Sequence, residues 1–363
     1  MNVLMHAAGP FFEEGGVSRV VIELSRELRL KGVDVDFIFG TNPENYPNVD
    51  SYLDFLKGPL KIIKHSSLTG LLFSNKITGR KYDVIHSHTP EAAFDSLKFS
   101  SKTKTKTLVH LHGFDKGLYE EWLKEINLNR LQNDFFTNYY LRKSISKGDK
   151  VFDECENFCA ISRSVIVEAE KFYSKTPSLV YNAFNPEEKK FSISQSALRK
   201  KLGVGKDEKI VLFVGNNGWR KGLPYLLDAM KILPSNYRLV VIGLNETINN
   251  KKVINIGCLP HTALFDYYAL ADVFCMPSLY EPFGLVYLEA QSCETPCVGS
   301  FGTAAEELIT DKRNGFLAKK RDFQSIADSI EKAVELKGKI KTDFKKFSWE
   351  KSAKELLKIY DSL

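Results

Sequence analysis

Asn2-Val-Leu-Met-His-Ala-Ala8 is a short apolar run, and the residues that follow it decide the fold. Gly15 and Gly16 mark a loop. From 17 to 31 the apolar residues Val17, Val20, Val21, Leu24 and Leu28 recur at helical spacing, and Val33-Asp-Val-Asp-Phe-Ile-Phe39 then alternates as a strand. A strand, a glycine turn, a helix and a second strand make a β-loop-α-β unit, which predicts a parallel sheet with helices on both faces. Further strands are predicted at 83–86, 107–111, 158–161 and 179–181. A second set follows Asn182-Ala-Phe-Asn-Pro-Glu-Glu-Lys-Lys190, a polar segment that reads as a linker. Its strands are predicted at 210–214, 238–242, 253–256, 273–276 and 296–298, alternating with helices that include 223–233 and 264–270. The fold class is α/β, with two Rossmann-like, doubly wound parallel sheets in tandem. Such sheets bind ligands beyond the carboxyl ends of their strands, so two that face one another place the expected active site in a cleft between them.

The 363 residues, 43% hydrophobic and 26% charged, exclude disordered, collagen-like and disulfide-scaffold classes. No apolar run approaches the roughly 20 residues of a membrane span, and the start lacks a basic signal region, so a soluble, cytoplasmic chain is expected. The six cysteines are read as reduced thiols; their two C-x3-C spacings do not match common zinc sites. The net charge of +6 is concentrated. Ten basic residues between 57 and 110 face only Asp83, Glu91 and Asp95, and Lys98, Lys102, Lys104 and Lys106 lie within one Lys/Thr-rich stretch. That stretch is either a solvated face or a contact for an anionic membrane surface; no nucleic-acid partner is expected. The aromatic-rich stretch 118–147 is expected to pack against the first sheet rather than to cover an acceptor.

Pro277-Ser-Leu-Tyr-Glu281-Pro-Phe-Gly284-Leu-Val-Tyr-Leu-Glu289-Ala290 sets two glutamates eight residues apart across a strand-to-helix turn. The amides of Phe283, Gly284 and Leu285 would open the helix. Free amides there suit a phosphate, and a carboxylate accepts ribose hydroxyls; the plainer reading is a helix with acids near its start. In Phe213-Val-Gly215-Asn216-Asn-Gly-Trp-Arg220-Lys221-Gly222 a strand runs into a glycine-bearing loop with two adjacent cations. Fixed cations there would stabilise a departing diphosphate, although solvated cations at a helix start are common. Gly15 and Gly16 would bring main-chain amides against a phosphate or simply turn the chain. His86, His88 and His112 stand near strand ends as core residues, a catalyst or, together, a metal site. Asp34-Val-Asp36 spells D-x-D but lies in an alternating strand with its acids expected to face solvent or a helix end, so no metal role is assigned.

Together these stretches resemble glycosyltransferase family 4, the retaining GT-B glycosyltransferases also called glycosyl transferases group 1. Glu281 and Glu289 match its E-x7-E signature. The resemblance continues through Ala269-Leu-Ala-Asp-Val-Phe-Cys-Met-Pro-Ser278 and Ile309-Thr-Asp-Lys-Arg-Asn-Gly-Phe-Leu317 and covers nearly the whole chain. It implies a GT-B fold with an acceptor-side domain over 1–181, a nucleotide-sugar domain over 182–347, and a terminal helix over 348–363 returning to the first. By the same resemblance Glu281 lies beside the transferred sugar, Glu289 holds the ribose, and the amides of Phe283, Gly284 and Leu285 lie near sugar and diphosphate. Gly215 and Asn216 through Arg220 and Lys221 form the phosphate segment, with Arg220 serving where many members carry arginine at the Asn216 position. Gly15 and Gly16 face the diphosphate, and His112 contacts the sugar near its anomeric carbon, with His86 and His88 in the loop behind it. Asp115, Lys102, Lys104 and Lys106 are the acceptor-side candidates. The implied reaction moves a hexose-type sugar from a nucleotide diphosphate sugar, UDP-linked rather than GDP-linked, to a saccharide or lipid-linked hydroxyl, with retention and without a metal or other cofactor. Gly243-Leu-Asn-Glu246, Cys293-Glu-Thr-Pro296 and Phe301-Gly-Thr303 depart from the family pattern around the base and sugar. The alternatives are an NAD(P)-dependent oxidoreductase, for which neither glycine loop supplies G-x-G-x-x-G, and a non-catalytic sugar-nucleotide-binding module.

Overall fold

A computed structural model describes residues 1–7, 16–39, 62–64, 81–245 and 247–363. Gly15, the rest of its loop and most of the basic residues between 57 and 80 lie outside them. The chain divides into two compact units, 1–183 with 347–363, and 184–346. The segment 182–190 is no free linker: Asn182, Ala183 and Phe184 are buried, and 186–188 form a short 3₁₀ turn capped by Asn185.

In the first unit, strands β1 (Asn2–Ala7), β2 (Asp34–Phe39), β3 (Ile62–Lys64), β4 (Val84–Ser87), β5 (Lys106–Leu111), β6 (Phe158–Ala160) and β7 (Ser178–Leu179) form a sheet in the order β3-β2-β1-β4-β5-β6-β7. Every pairing among the described strands is parallel. Its helices are α1 (Gly16–Leu30), α2 (Pro90–Thr103), α3 (Asp115–Asn127), α4 (Phe135–Glu154) and α5 (Arg163–Tyr173). In the second unit, β8 (Lys209–Val214), β9 (Tyr237–Ile242), β10 (Val253–Gly257), β11 (Val273–Cys275), β12 (Cys297–Ser300) and β13 (Gly315–Ala318) form a second parallel sheet in the order β10-β9-β8-β11-β12-β13. It carries α6 (Gln195–Lys201), α7 (Leu223–Ile232), α8 (Leu264–Leu270), α9 (Leu285–Ser292), α10 (Ala305–Leu308) and α11 (Phe323–Val334). Both orders reverse direction once, between β1 and β4 and between β8 and β11. There the connections leave on opposite faces and open a crevice at the carboxyl edge.

The last helix, α12 (Trp349–Ser362), belongs to the first unit. The Ser348 hydroxyl caps it by accepting the Lys351 amide. Trp349, Ala353, Leu356 and Tyr360 fall on one stripe and join a core with Val20, Leu24, Leu28, Met5 and Leu108. Each large apolar side chain among them contributes roughly 1.5–3 kcal/mol through burial, which holds the end of the chain on the sheet where it began.

Two further expectations are corrected. Residues 118–147 do not form one sheet-packed stretch but parts of α3 and α4. Trp122 and Leu141 are buried, whereas Phe135, Phe136, Tyr139 and Tyr140 project from the first turns of α4 into solvent. Asp36 does not face solvent; it is buried and accepts a hydrogen bond from the Tyr82 hydroxyl at 2.6 Å. A parallel sheet is covered on both faces, so strand alternation does not mark one face as wet.

Candidate active site

In the second unit the loops after β8 and β11 meet at the switch point. Gly222, at φ +76, ends the β8 loop; a Cβ there would lie 1.9 Å from the Pro277 carbonyl oxygen. Only glycine allows that approach, and it seats the Arg220–Lys221 segment against the β11 loop. The main chain fastens the same contact, because the Leu279 amide donates to the Arg220 carbonyl at 2.8 Å. On the other side Gly284, at φ +93, starts α9, where a Cβ would collide with the Tyr287 ring at 2.6 Å.

This interlock brings Lys221 and Glu281 together. The Lys221 ammonium donates to Glu281 Oε2, with the two side chains 12% and 6% exposed. Burial pushes the Glu281 carboxyl up, but Lys221, Arg220 and the Phe283 amide outweigh it and hold the group below its ordinary value. Burial draws Lys221 below its ordinary value, assisted by Arg220 and opposed by Glu281. The carboxylate is therefore kept charged in a dry site with two cations beside it. Arg220 is fixed from both ends: its amide donates to Asn217 Oδ1 at 3.2 Å and its guanidinium to the Tyr280 carbonyl at 3.4 Å. Gly215 leads the same loop, and Asn216 next to it is exposed.

Glu289 lies in the second turn of α9, buried, with Phe283 and Leu285 at the head of that helix. Its carboxylate accepts the Tyr268 hydroxyl at 2.9 Å and meets His261 Nε2 at 2.9 Å. Sequence reasoning missed both partners. The apolar run of α8 and its distance from the E-x7-E motif gave no signal that Tyr268 and His261 converge there.

In the first unit, Gly16 begins α1 beyond β1, where a Cβ would meet nothing within 4 Å, so the fold itself does not demand glycine there. His112 follows β5, and its Nε2 lies 3.1 Å from His88 Nδ1. His88 lies just past the end of β4, as a loop residue would, but His86 does not. His86 is within β4 and stacks on His88 at 4.4 Å between ring centroids. His110, absent from the sequence reading, stacks on His86 at 5.2 Å. Asp115 opens α3, and burial with the nearby Glu91 charge raises its carboxyl to about 6, against a hydrogen bond from Ser144. Gly16, His112 and Asp115 thus share the carboxyl edge of the first sheet. Lys102, Lys104 and Lys106 do not join them. They are exposed at the end of α2 and the start of β5, and at about 3.3 Å per residue the strand carries Lys106 roughly 20 Å from His112.

Two family models match, one described as Glycosyltransferase Family 4 over residues 14–188 and one as glycosyl transferases group 1 over residues 194–354. An uncharacterised glycosyltransferase of Methanocaldococcus jannaschii is 29% identical over 308 residues, spanning 77% of this chain and 75% of that protein. Among solved structures, a sucrose-phosphate synthase from Thermosynechococcus elongatus superposes with a TM-score of 0.78 at 20% identity, covering 99% of this chain and 98% of the other. The HepE protein of Anabaena, solved with UDP-glucose, gives a TM-score of 0.74 at 18% identity, covering 99% of this chain and 100% of the other. These likenesses establish the α/β GT-B fold. With both halves matched by the two models, the chain belongs to glycosyltransferase family 4 and is a glycosyltransferase.

Proposed function

We propose that the protein transfers a hexose-type sugar from a UDP-sugar to a hydroxyl of a saccharide or lipid-linked acceptor, with retention of configuration and without a metal at the diphosphate. The observation that carries this reading is the buried Lys221–Glu281 pair beside Arg220 at the switch point of the second sheet. A diphosphate leaving group gains charge as the glycosidic bond breaks. Arg220 and Lys221 supply the positive field that other enzymes take from a divalent ion, and the α9 amides of Phe283 to Leu285 add donors. Glu281 stays anionic beside the transferred sugar, and Glu289 exchanges its Tyr268 and His261 partners for ribose hydroxyls. In front-face attack the departing phosphate oxygen takes the acceptor proton, so no side-chain base is required. The Anabaena neighbour bound to UDP-glucose supports the choice of nucleotide.

No helix of the described residues is long and apolar enough to cross a membrane. We assign the protein to the cytoplasm, with peripheral contact to an anionic membrane surface through exposed Lys98, Lys102, Lys104 and Lys106. Vesicle binding that weakens with added salt supports this contact; binding indifferent to lipid charge refutes it.

A thermal-shift panel tests the donor. UDP-sugars raise the melting temperature, and turnover proceeds without added Mg²⁺ or Mn²⁺. Stabilisation by NAD(P) alone, or dependence of turnover on either cation, overturns the reading.

A further inference from the structure

The transfer chemistry leaves one cluster in the first unit unused. His86 sits opposite Leu108 in the β4–β5 register, so His88, two residues on, falls beside His110 on the same face. His86, His88 and His110 are each fully buried. His86 Nε2 has no hydrogen-bond partner, and His110 has none beyond the pull of the Val180 carbonyl. A buried polar atom left poorly paired has given up its hydration without return, so such nitrogens gathered within one group of rings call for a ligand.

We propose that His86, His88 and His110 form a three-imidazole binding site for a late first-row transition-metal ion of the Zn²⁺ type. One donor atom from each lies within 4.8 Å of the others. With metal–nitrogen bonds of about 2.0–2.1 Å, tetrahedral ligands stand roughly 3.3 Å apart, so the widest pair closes by about 1.5 Å. Ring rotation supplies this movement. The rings lie stacked, with 17–20° between planes for His86 on His88 and on His110, so their lone pairs run side by side and turn inward when an ion binds. One ligand in β4, a second two residues on just past its end and a third on the next strand project from one face, which makes that convergence short.

The surroundings fit a nitrogen-ligated ion. His86 Nδ1 pairs with the Tyr360 hydroxyl of α12 at 2.6 Å. With the ring hydrogen on Nδ1, Nε2 is left bare, the arrangement by which outer partners orient metal-binding histidines. Burial holds all three imidazoles well below their ordinary range, His110 down to about 3 against the pull of the Val180 carbonyl, so they stay neutral and able to ligate. Imidazole donors select zinc, nickel and copper over magnesium and calcium. The ion's charge, unbalanced by three neutral ligands, is met by hydroxide or another small anion in the fourth position. Bound metal ties β4, β5 and, through Tyr360, α12 together. It takes no part in the diphosphate chemistry of the second unit.

The test uses the full chain stripped with chelator and titrated with Co²⁺. The expected result is one ion per chain with the intense visible bands of a tetrahedral cobalt site, displaced by Zn²⁺ and not by Mg²⁺. Zn²⁺ should also shift the imidazole ¹⁵N resonances of these three histidines in the wild-type protein, a readout that needs no variant to fold. H86Q and H110Q lose binding at least tenfold, while H6Q, altered on the opposite sheet face, retains it. Absence of a tetrahedral cobalt spectrum in the wild type, or binding that survives both H86Q and H110Q, overturns the proposal.

Discussion

Replacing Lys221 with methionine isolates the pair on which the site rests. The side chain keeps most of its length and loses its charge, leaving Glu281, 6% exposed, as a buried carboxylate with only Arg220 and the Phe283 amide beside it. Removing one partner of a buried pair costs about 3–5 kcal/mol, because the remaining charge has given up water for too little in return. For a unit the size of 184–346 each kcal/mol moves the melting point about 2–4 °C, so K221M should lower that transition by roughly 6–20 °C. The deficit has a pH signature. In K221M the Glu281 carboxyl rises above its unfolded value, so the variant's handicap is smallest in acid and grows as pH rises through the shifted pKa. In the wild type the carboxyl is held low, and its contribution is present above about pH 4.3 and lost as pH falls through the folded value. Adding E281Q to K221M removes the stranded charge and should recover most of the stability, while transfer stays depressed by about 10²–10³-fold through loss of electrostatic stabilisation. Calorimetry of the two single variants and the double variant from pH 4 to 8 measures the coupling. A K221M protein as stable as wild type, or a double variant no better than K221M, would refute the argument.

Three further outcomes follow from geometry on other elements. Gly284→Ala forces a side chain into positive φ and onto the Tyr287 ring, so stability should fall by about 1–3 kcal/mol in chemical denaturation. The buried histidines stay neutral in the folded first unit while the unfolded chain takes protons below about pH 6.5; stability should therefore decline as pH falls from there towards 3, and His110→Leu should flatten that slope in acid titrations followed by circular dichroism. Asp115 is raised to about 6, so its favourable protonated form is lost as pH rises through that value. Asp115→Asn should raise the melting temperature at pH 8 and leave it unchanged at pH 4, and a simultaneous loss of transfer would mark Asp115 as part of the acceptor site.

The alternation of apolar strands with helical periodicity made the two parallel sheets legible, because each β-α step carries its own short-range pattern. The E-x7-E spacing likewise located Glu281 and Glu289, since one turn and one helix fix both. The missing parts depend on contacts between distant segments. β3 and β13 are edge strands that pair with segments far off in sequence, and neither is among the predicted strands. The His261 and Tyr268 partners of Glu289 lie 28 and 21 residues away, joined only when α8 packs beside α9. Lys106 stands six positions before His112 in sequence, yet the intervening strand separates them along its full length. His110 passed as one more residue of an apolar strand, and only the β4–β5 register sets it among the other imidazoles.

The anomeric configuration of the product tests the central claim most directly. With an α-linked UDP-hexose and an acceptor sugar, NMR of the reaction should show an α-linked product forming in step with UDP release, at rates cut by about 10²–10³-fold in K221M and E281Q. A β-linked product, or full turnover in either variant, would contradict the account.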